Sequence, residues 1–380
     1  MGLTSWGLLG LLTFITSGLL AVTVWAWPRV ASSGARSVGA RVLILVGCQF
    51  AVLVTLVTSL NSYYLFYGSW ADLAGAAGGK AQEMRDRPPP NPNAAAASQV
   101  VRTVRASLGP ALGHGRVPER DGQVEHLDIR GIRTGLSSDA FVYLPPQYFQ
   151  PAYANRRLPV VIFIAGYPAS DKFVWISKGH IPADVAKAQQ AGQLQPMIYV
   201  MMRPTVEKGW DTECADVPGG PKVETFFAQD VPEAVAETYR TARDRSGWGV
   251  AGYSTGGYCA TKIAMLHSDR FSAAVSMAGH FHALLDTTTR DLYANSLELR
   301  NNSDLIWRLK NLPQPPISVL VASADVGEKT FPSAQRFMAE ARPPLVVDKM
   351  LLPTGGHNFK TFRKYIPPSI RWLSDHLKGE

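Results

Sequence analysis

Two long stretches of this 380-residue chain hold no charged side chain, Met1 to Pro28 and Val42 to Ala71. Each exceeds the roughly 20 apolar residues that cross a bilayer, so two transmembrane helices are expected. The first stretch lacks a basic leading segment and outruns the roughly 7 to 15 apolar residues of a cleaved signal peptide, which favours a retained helix. Acid is missing as well from the loop between the stretches, which carries Arg29, Arg36 and Arg41. Short arginine-bearing loops stay in the cytoplasm, so both termini are expected on the extracytoplasmic side.

Cysteine is scarce. Of three, Cys48 falls inside the second apolar stretch, leaving Cys214 and Cys259. Their spacing fits no metal motif, and a disulfide and two buried thiols both remain open. The chain also lacks a glycine-rich dinucleotide fingerprint, a P-loop and a convincing metal cluster, so no cofactor and no metal are expected. Its formal charge is +8, yet no aromatic-basic platform interrupts the dispersed basic residues. Nucleic acid is therefore excluded as a partner, and contact with anionic lipid or envelope polymer is the better use of that charge.

Aromatic residues collect near the ends of the apolar stretches, Trp25 and Trp27 on one and Tyr63, Tyr64, Phe66, Tyr67 and Trp70 on the other. That is the pattern of an interfacial belt. Residues 1–71 are thus expected to form a membrane anchor. Residues 72–122 read as an Ala, Gly and Pro-rich linker, with Pro88 to Pro90 stiffening part of it and a short helix over Val100 to Leu112.

From residue 123 to 380, short β-rich apolar runs alternate with longer helical ones, the signature of a mostly parallel sheet covered by helices. The expected strands are Val124 to Ile132, Ala140 to Leu144, Pro159 to Ala165, Met197 to Met202, Gly247 to Gly252, Phe271 to Ala278, Ile317 to Ala322 and Leu345 to Leu352. Helices are expected over Val223 to Thr241, Thr255 to His267, Pro332 to Ala341 and Pro367 to Leu377.

The chemistry-bearing motif is Gly252-Tyr253-Ser254-Thr255-Gly256, a G-x-S-x-G between a predicted strand and a predicted helix. A nucleophile on such a turn needs small neighbours because backbones approach closely there. The helix behind Ser254 also aims free N–H groups at the reacting centre. A serine hydroxyl needs a base, and His357 in Gly355-Gly356-His357-Asn358-Phe359 follows the last strand, where this chain order puts it.

The acid belongs on the loop after Ile317 to Ala322. Asp325 is preferred because it lies closest to the strand end, with Glu328 as the alternative. An oxyanion hole would draw on the N–H of Thr255 and of Tyr167 in Gly166-Tyr167-Pro168, since Pro168 has no N–H. His280 and His282 are spaced i, i+2 with no third ligand in sight, and read as pocket-lining or polar residues. Trp210-Asp211-Thr212-Glu213-Cys214 and Glu224-Thr225-Phe226 lie on the ligand-binding side of the sheet, as lining of an acceptor cleft or as structural loops.

These motifs in order, Ala165-Gly166-Tyr167, Glu224-Thr225-Phe226, Gly252 to Gly257 and Gly356 to Phe359, resemble the esterase family of the α/β-hydrolase fold that includes the mycobacterial antigen 85 mycolyltransferases. The anchor ending in Asn61 to Trp70 is similar to that of membrane-bound actinobacterial members. The resemblance implies an α/β-hydrolase domain after two transmembrane helices and acyl-enzyme chemistry on an ester or lipid substrate. The named mycolyltransferases are secreted and use a Ser-Glu-His triad, which keeps Glu328 in play.

The expected protein is a membrane-anchored, extracytoplasmic serine esterase. Its rivals are an acyltransferase delivering to a carbohydrate or lipid hydroxyl, and an inactive hydrolase-fold scaffold.

Overall fold

A computed structural model describes residues 6–64, 98–104, 117–168, 173–204, 206 and 209–380. The chain divides into two units, Met1–Gly79 and Lys80–Glu380. In the first, helix α1 (Trp6–Ala26) and helix α2 (Ala35–Tyr64) are joined by a short 3-10 turn and bends. Segments Gly7–Val30 and Ala35–Leu60 are long and apolar enough to cross a membrane.

Along their seam, Thr16 Oγ1 lies 2.8 Å from Thr55 Oγ1 and Thr23 Oγ1 lies 3.0 Å from Cys48 Sγ. Such polar contacts hold apolar helices together where hydrophobic burial offers no advantage. Trp25 is exposed, and the Arg29 guanidinium sits 3.7 Å from its ring centre. The aromatic side chains from Tyr63 to Trp70 and the linker up to residue 97 lie outside the described residues.

The second unit is built on one nine-stranded sheet: β1 (Ser98–Val104), β2 (Gln123–Gly131), β3 (Ser137–Leu144), β4 (Val160–Ile164), β5 (Ile198–Met202), β6 (Trp248–Tyr253), β7 (Ala273–Met277), β8 (Ser318–Val326) and β9 (Val346–Thr354). Their spatial order is β1-β2-β3-β5-β4-β6-β7-β8-β9. The first three strands and the β3–β5 join are antiparallel, and β5 through β9 are parallel. All eight expected strands form, and the sheet is mostly parallel.

The expected helix from Val100 does not form: Val100–Val104 belong to β1, with Val100 opposite Ile129 on β2. Val and Thr favour strands because their branched side chains suit a pleated surface.

Side chains alternate across the sheet as a two-residue period requires. Val160, Ile162 and Ile164 face one core, together with Val231 and Val235 of helix α4 (Val231–Thr238), Tyr258 and Ile263 of helix α5 (Thr255–Leu266), and Phe337 of helix α6 (Phe331–Glu340). Val161 and Phe163 face the other, against Val185 of helix α3 (Ile181–Gln190) and Phe362, Ile366, Ile370 and Leu373 of helix α7 (Phe359–His376). The sheet is thereby buried on both faces, as parallel sheets must be. Its C-terminal strand ends are left to carry a site.

Candidate active site

Strand β6 ends at Tyr253 and α5 starts at Thr255, so Ser254 alone makes the turn, at φ 56° and ψ −126°. A non-glycine residue held there is strained by about 1–3 kcal/mol and persists only where packing dictates it. The packing is visible. A Cβ on Gly256 would lie 2.0 Å from the carbonyl oxygen of Ile164, and one on Gly252 would lie 2.2 Å from that of Gly256. Only glycine lets α5 start this close to β4 and β6.

Ser254 Oγ is 2.8 Å from His357 Nε2. The histidine follows β9, and α7 begins two residues later with Asn358 as its cap, accepting from the Thr361 N–H at 3.1 Å. Phe362, one turn into α7, meets the imidazole edge-on at 5.2 Å and stacks on Tyr253 at 4.9 Å. The helix cap and this ring stack fix the imidazole from two sides.

The carboxylate on His357 is Glu328, with Oε1 2.8 Å from Nδ1. This corrects the preference for Asp325, which is exposed. Strand β8 runs on to Val326, so Asp325 still belongs to the strand, between Ala324 paired with Leu352 and Val326 paired with Thr354. The chain turns only at Gly327, whose φ of 92° suits glycine, and Glu328 is the first acid beyond that turn.

Glu328 Oε1 also accepts from the Thr330 N–H and hydroxyl, both at 3.1 Å. Burial pushes this carboxyl up, but the hydrogen bonds from His357 and Thr330 outweigh it and hold Glu328 below the usual glutamate range. It therefore stays ionised beside the imidazole.

Of the two residues expected to supply oxyanion donors, Thr255 is buried as the first residue of α5. A helix N-terminus leaves such an N–H without a partner inside the helix. Tyr167 is half-buried on the turn after β4. That turn runs beside the nucleophile, since a Cβ on Gly166 would lie 2.9 Å from Ser254 Cβ.

The remaining candidates divide. Glu224 pairs with Lys262 at 3.2 Å and with His267 at 3.1 Å, and Phe226 is in the core, so this run is structural. Asp211 reaches the site's edge, where its Oδ2 accepts from the Thr255 hydroxyl at 3.2 Å. Glu213 and His280 face each other at 3.0 Å and are both buried, while His282 Nδ1 lies 3.1 Å from Ser333 Oγ. Cys214 and Cys259 form a disulfide. Asp211 and Glu213 stand on one segment, and the sequence offered no signal for joining His280, which comes from the loop after β7, to them.

Residues 133–324 match the model of the family described as Putative esterase, and the chain belongs to that family. It has the α/β-hydrolase fold. An uncharacterized protein of Corynebacterium glutamicum is 27% identical over 253 residues, covering 62% of this chain. The chain spans 57% of that relative's length.

Among solved structures, a ferulic acid esterase superposes with a TM-score of 0.55 at 19% identity, covering 67% of this chain and 98% of its own. An S-formylglutathione hydrolase from Agrobacterium tumefaciens gives 0.56 at 12% identity, with 70% and 99% covered. The fluorophosphonate-binding serine hydrolase F of Staphylococcus aureus gives 0.54 at 16%, with 67% and 98% covered. At these identities the likeness is one of fold.

Proposed function

We propose that this protein is a membrane-anchored serine esterase working through an acyl-enzyme on the extracytoplasmic side. The observation that carries the reading is the unbroken line Ser254 Oγ, His357 Nε2, His357 Nδ1, Glu328 Oε1, with 2.8 Å at each hydrogen-bonded step.

In this reading Ser254 attacks the ester carbonyl while His357 takes its proton at Nε2. Glu328 holds the Nδ1–H tautomer and stabilises the imidazolium without itself taking the proton. The N–H groups of Thr255 and Tyr167 receive the charge developing on the carbonyl oxygen. His357 then gives its proton to the departing alkoxide and activates water to release the acid.

Helices α1 and α2 serve as the anchor, with Arg29, Arg36 and Arg41 keeping their loop on the cytoplasmic side. The disulfide is consistent with an oxidising compartment for the catalytic unit. A glutamate in the acid position also suits the acyltransferase reading, since the mycolyltransferases that the sequence resembles use one. In that case a carbohydrate or lipid hydroxyl replaces water.

Intact-mass analysis of the full-length protein in detergent after fluorophosphonate treatment tests the reading. Single-site labelling, abolished in Ser254→Ala and slowed in His357→Ala, is the expected result. A folded wild type that takes no label would leave the scaffold reading in its place. Product ratios with and without sugar acceptors then separate hydrolysis from transfer.

A further inference from the structure

The segment from Trp210 to Glu224 is fastened along one face of α5. Asp211 holds the Thr255 hydroxyl at 3.2 Å, Cys214 is bonded to Cys259, and Lys262 Nζ donates to the Cys214 carbonyl at 3.0 Å. Beyond these, Glu224 meets both Lys262 and His267. The first of these fastenings lands on the residue next to the nucleophile.

We propose that Asp211 is a positioning residue, whose hydrogen bond to the Thr255 hydroxyl fixes the first turn of α5 so that the Thr255 N–H points at the developing oxyanion. The proposal rests on the acyl-enzyme reading of Ser254.

The physical need is specific to this position. The N–H of a first helical residue has no intrahelical acceptor, which makes it available to an oxyanion but leaves its direction unsupported by the helix. The residue before it, Ser254, is at positive φ, so the joining peptide is not held in a helical well either. An anchor on Thr255's own side chain supplies the missing constraint.

Asp211 is itself immobilised. It is 5% exposed, its Oδ1 accepts from the Glu213 N–H at 3.1 Å, and its own N–H donates to the Thr288 carbonyl at 3.2 Å. Trp210 beside it donates from Nε1 to the Thr289 carbonyl at 2.8 Å. The loop is thus held from a second side.

A carboxylate so near an oxyanion would oppose it unless other charges intervene. The charged or titratable neighbours are Glu213 on the same segment, His280 after β7, and Asp286 beyond His280. His280 has both ring nitrogens against acceptors, Nδ1 at 3.0 Å from the His282 carbonyl and Nε2 at 3.0 Å from Glu213. Burial pushes its pKa down, but the Glu213 charge and hydrogen bond outweigh this and raise it, favouring a cation that offsets one of the two carboxylates.

Burial first, then the charge of Glu213, push the Asp211 carboxyl up to about 7. Either protonation state keeps contact with Thr255, because a hydroxyl both donates and accepts. The charge beside the oxyanion differs between the two states.

Fluorophosphonate labelling rates of the full-length protein in detergent test this, for wild type, Asp211→Ala, Asp211→Asn, Thr255→Val and the Asp211→Ala, Thr255→Val pair. An unlabelled wild type sinks the acyl-enzyme reading and this proposal with it. Where wild type is labelled, Asp211→Ala and Thr255→Val should each slow labelling about 10- to 100-fold, part of the loss expected from deleting an oxyanion donor. The double variant should be no slower than the worse single one, because both remove one contact.

Asp211→Asn preserves the shape and contact, so it should label within about 3-fold of wild type, with a rate ratio that changes across pH 7. A merely structural aspartate gives a flat ratio. A wild-type rate in Thr255→Val, or losses that multiply in the double variant, overturns the proposal. Thr255→Val and Asp211→Asn carry the test even if Asp211→Ala fails to fold.

Discussion

The second unit contains two close glutamate–histidine pairs, Glu328 hydrogen-bonded to Nδ1 of His357 at 2.8 Å and Glu213 in an ion pair with Nε2 of His280 at 3.0 Å. Both carboxylates are buried and both lie near the C-terminal ends of the parallel strands. They differ in what the far side of the imidazole meets. The His357 ring is 21% exposed and presents Nε2 to a serine hydroxyl, whereas His280 is buried, stacked on Tyr258 at 4.5 Å, with its other nitrogen on a backbone carbonyl.

A histidine does acid–base work only if one nitrogen faces a group whose proton can move. Among the described residues the ring nitrogens of His280 face only the His282 carbonyl and the Glu213 carboxylate, so its pair is static and serves the local charge balance.

The largest effect that would test this contrast is at the first pair. Glu328→Gln should lower kcat by about 10³- to 10⁴-fold with the fold intact, because a glutamine at Nδ1 no longer stabilises the imidazolium and favours the wrong tautomer. Steady-state hydrolysis of a chromogenic ester by protein of unchanged circular dichroism measures it. A loss under about 10-fold would remove the distinction between the pairs.

Next, His280→Ala should destabilise by about 3 kcal/mol, since it strands a buried carboxylate, while kcat of the folded protein falls far less than in Glu328→Gln. Denaturant melts set beside kcat decide which pair is static.

A third ion pair sharpens the point through pH. Burial pushes Glu224 up, but Lys262 and His267 outweigh it and bring the carboxyl to about 2. A depressed carboxyl contributes stability that is complete above its unfolded value, near 4.5, and is lost as pH falls towards about 2. The loss should amount to about 3 kcal/mol across that window. Lys262→Met should flatten the slope in urea melts taken at stepped pH.

The smallest effect expected is at Asp325, where Asp325→Asn should change kcat less than about 2-fold, as for any exposed side chain off the reaction path. A large loss there would reopen the assignment of the acid.

Ser254 and His357 were legible in the sequence because glycines flank each of them and they stand in the order strand, serine, helix and last strand, histidine. The acid was not, because its identity turned on where β8 ends, and pairing with β9 carries that strand four residues past Ala322. Strand β1 was missed for a related reason. Val100, Val101, Val104 and Leu108 fit a helical spacing, and only the partner strand β2 decides otherwise. The pairing of the Asp211–Glu213 segment with His280 was hidden because the loops after β5 and β7 meet only once the sheet has formed.

The sheet order has a mechanical consequence. β1 forms one edge and β9 the other, eight steps away, or roughly 40 Å at the usual inter-strand spacing. In the anchored reading proposed above, a pull applied ahead of β1 would reach the sheet at the edge opposite β9. The rungs of the β1–β2 ladder, seven residue pairs long, would take that load first. Such tension would peel an outer antiparallel strand before it reached β6, β8 and β9, the strands that precede Ser254, Glu328 and His357.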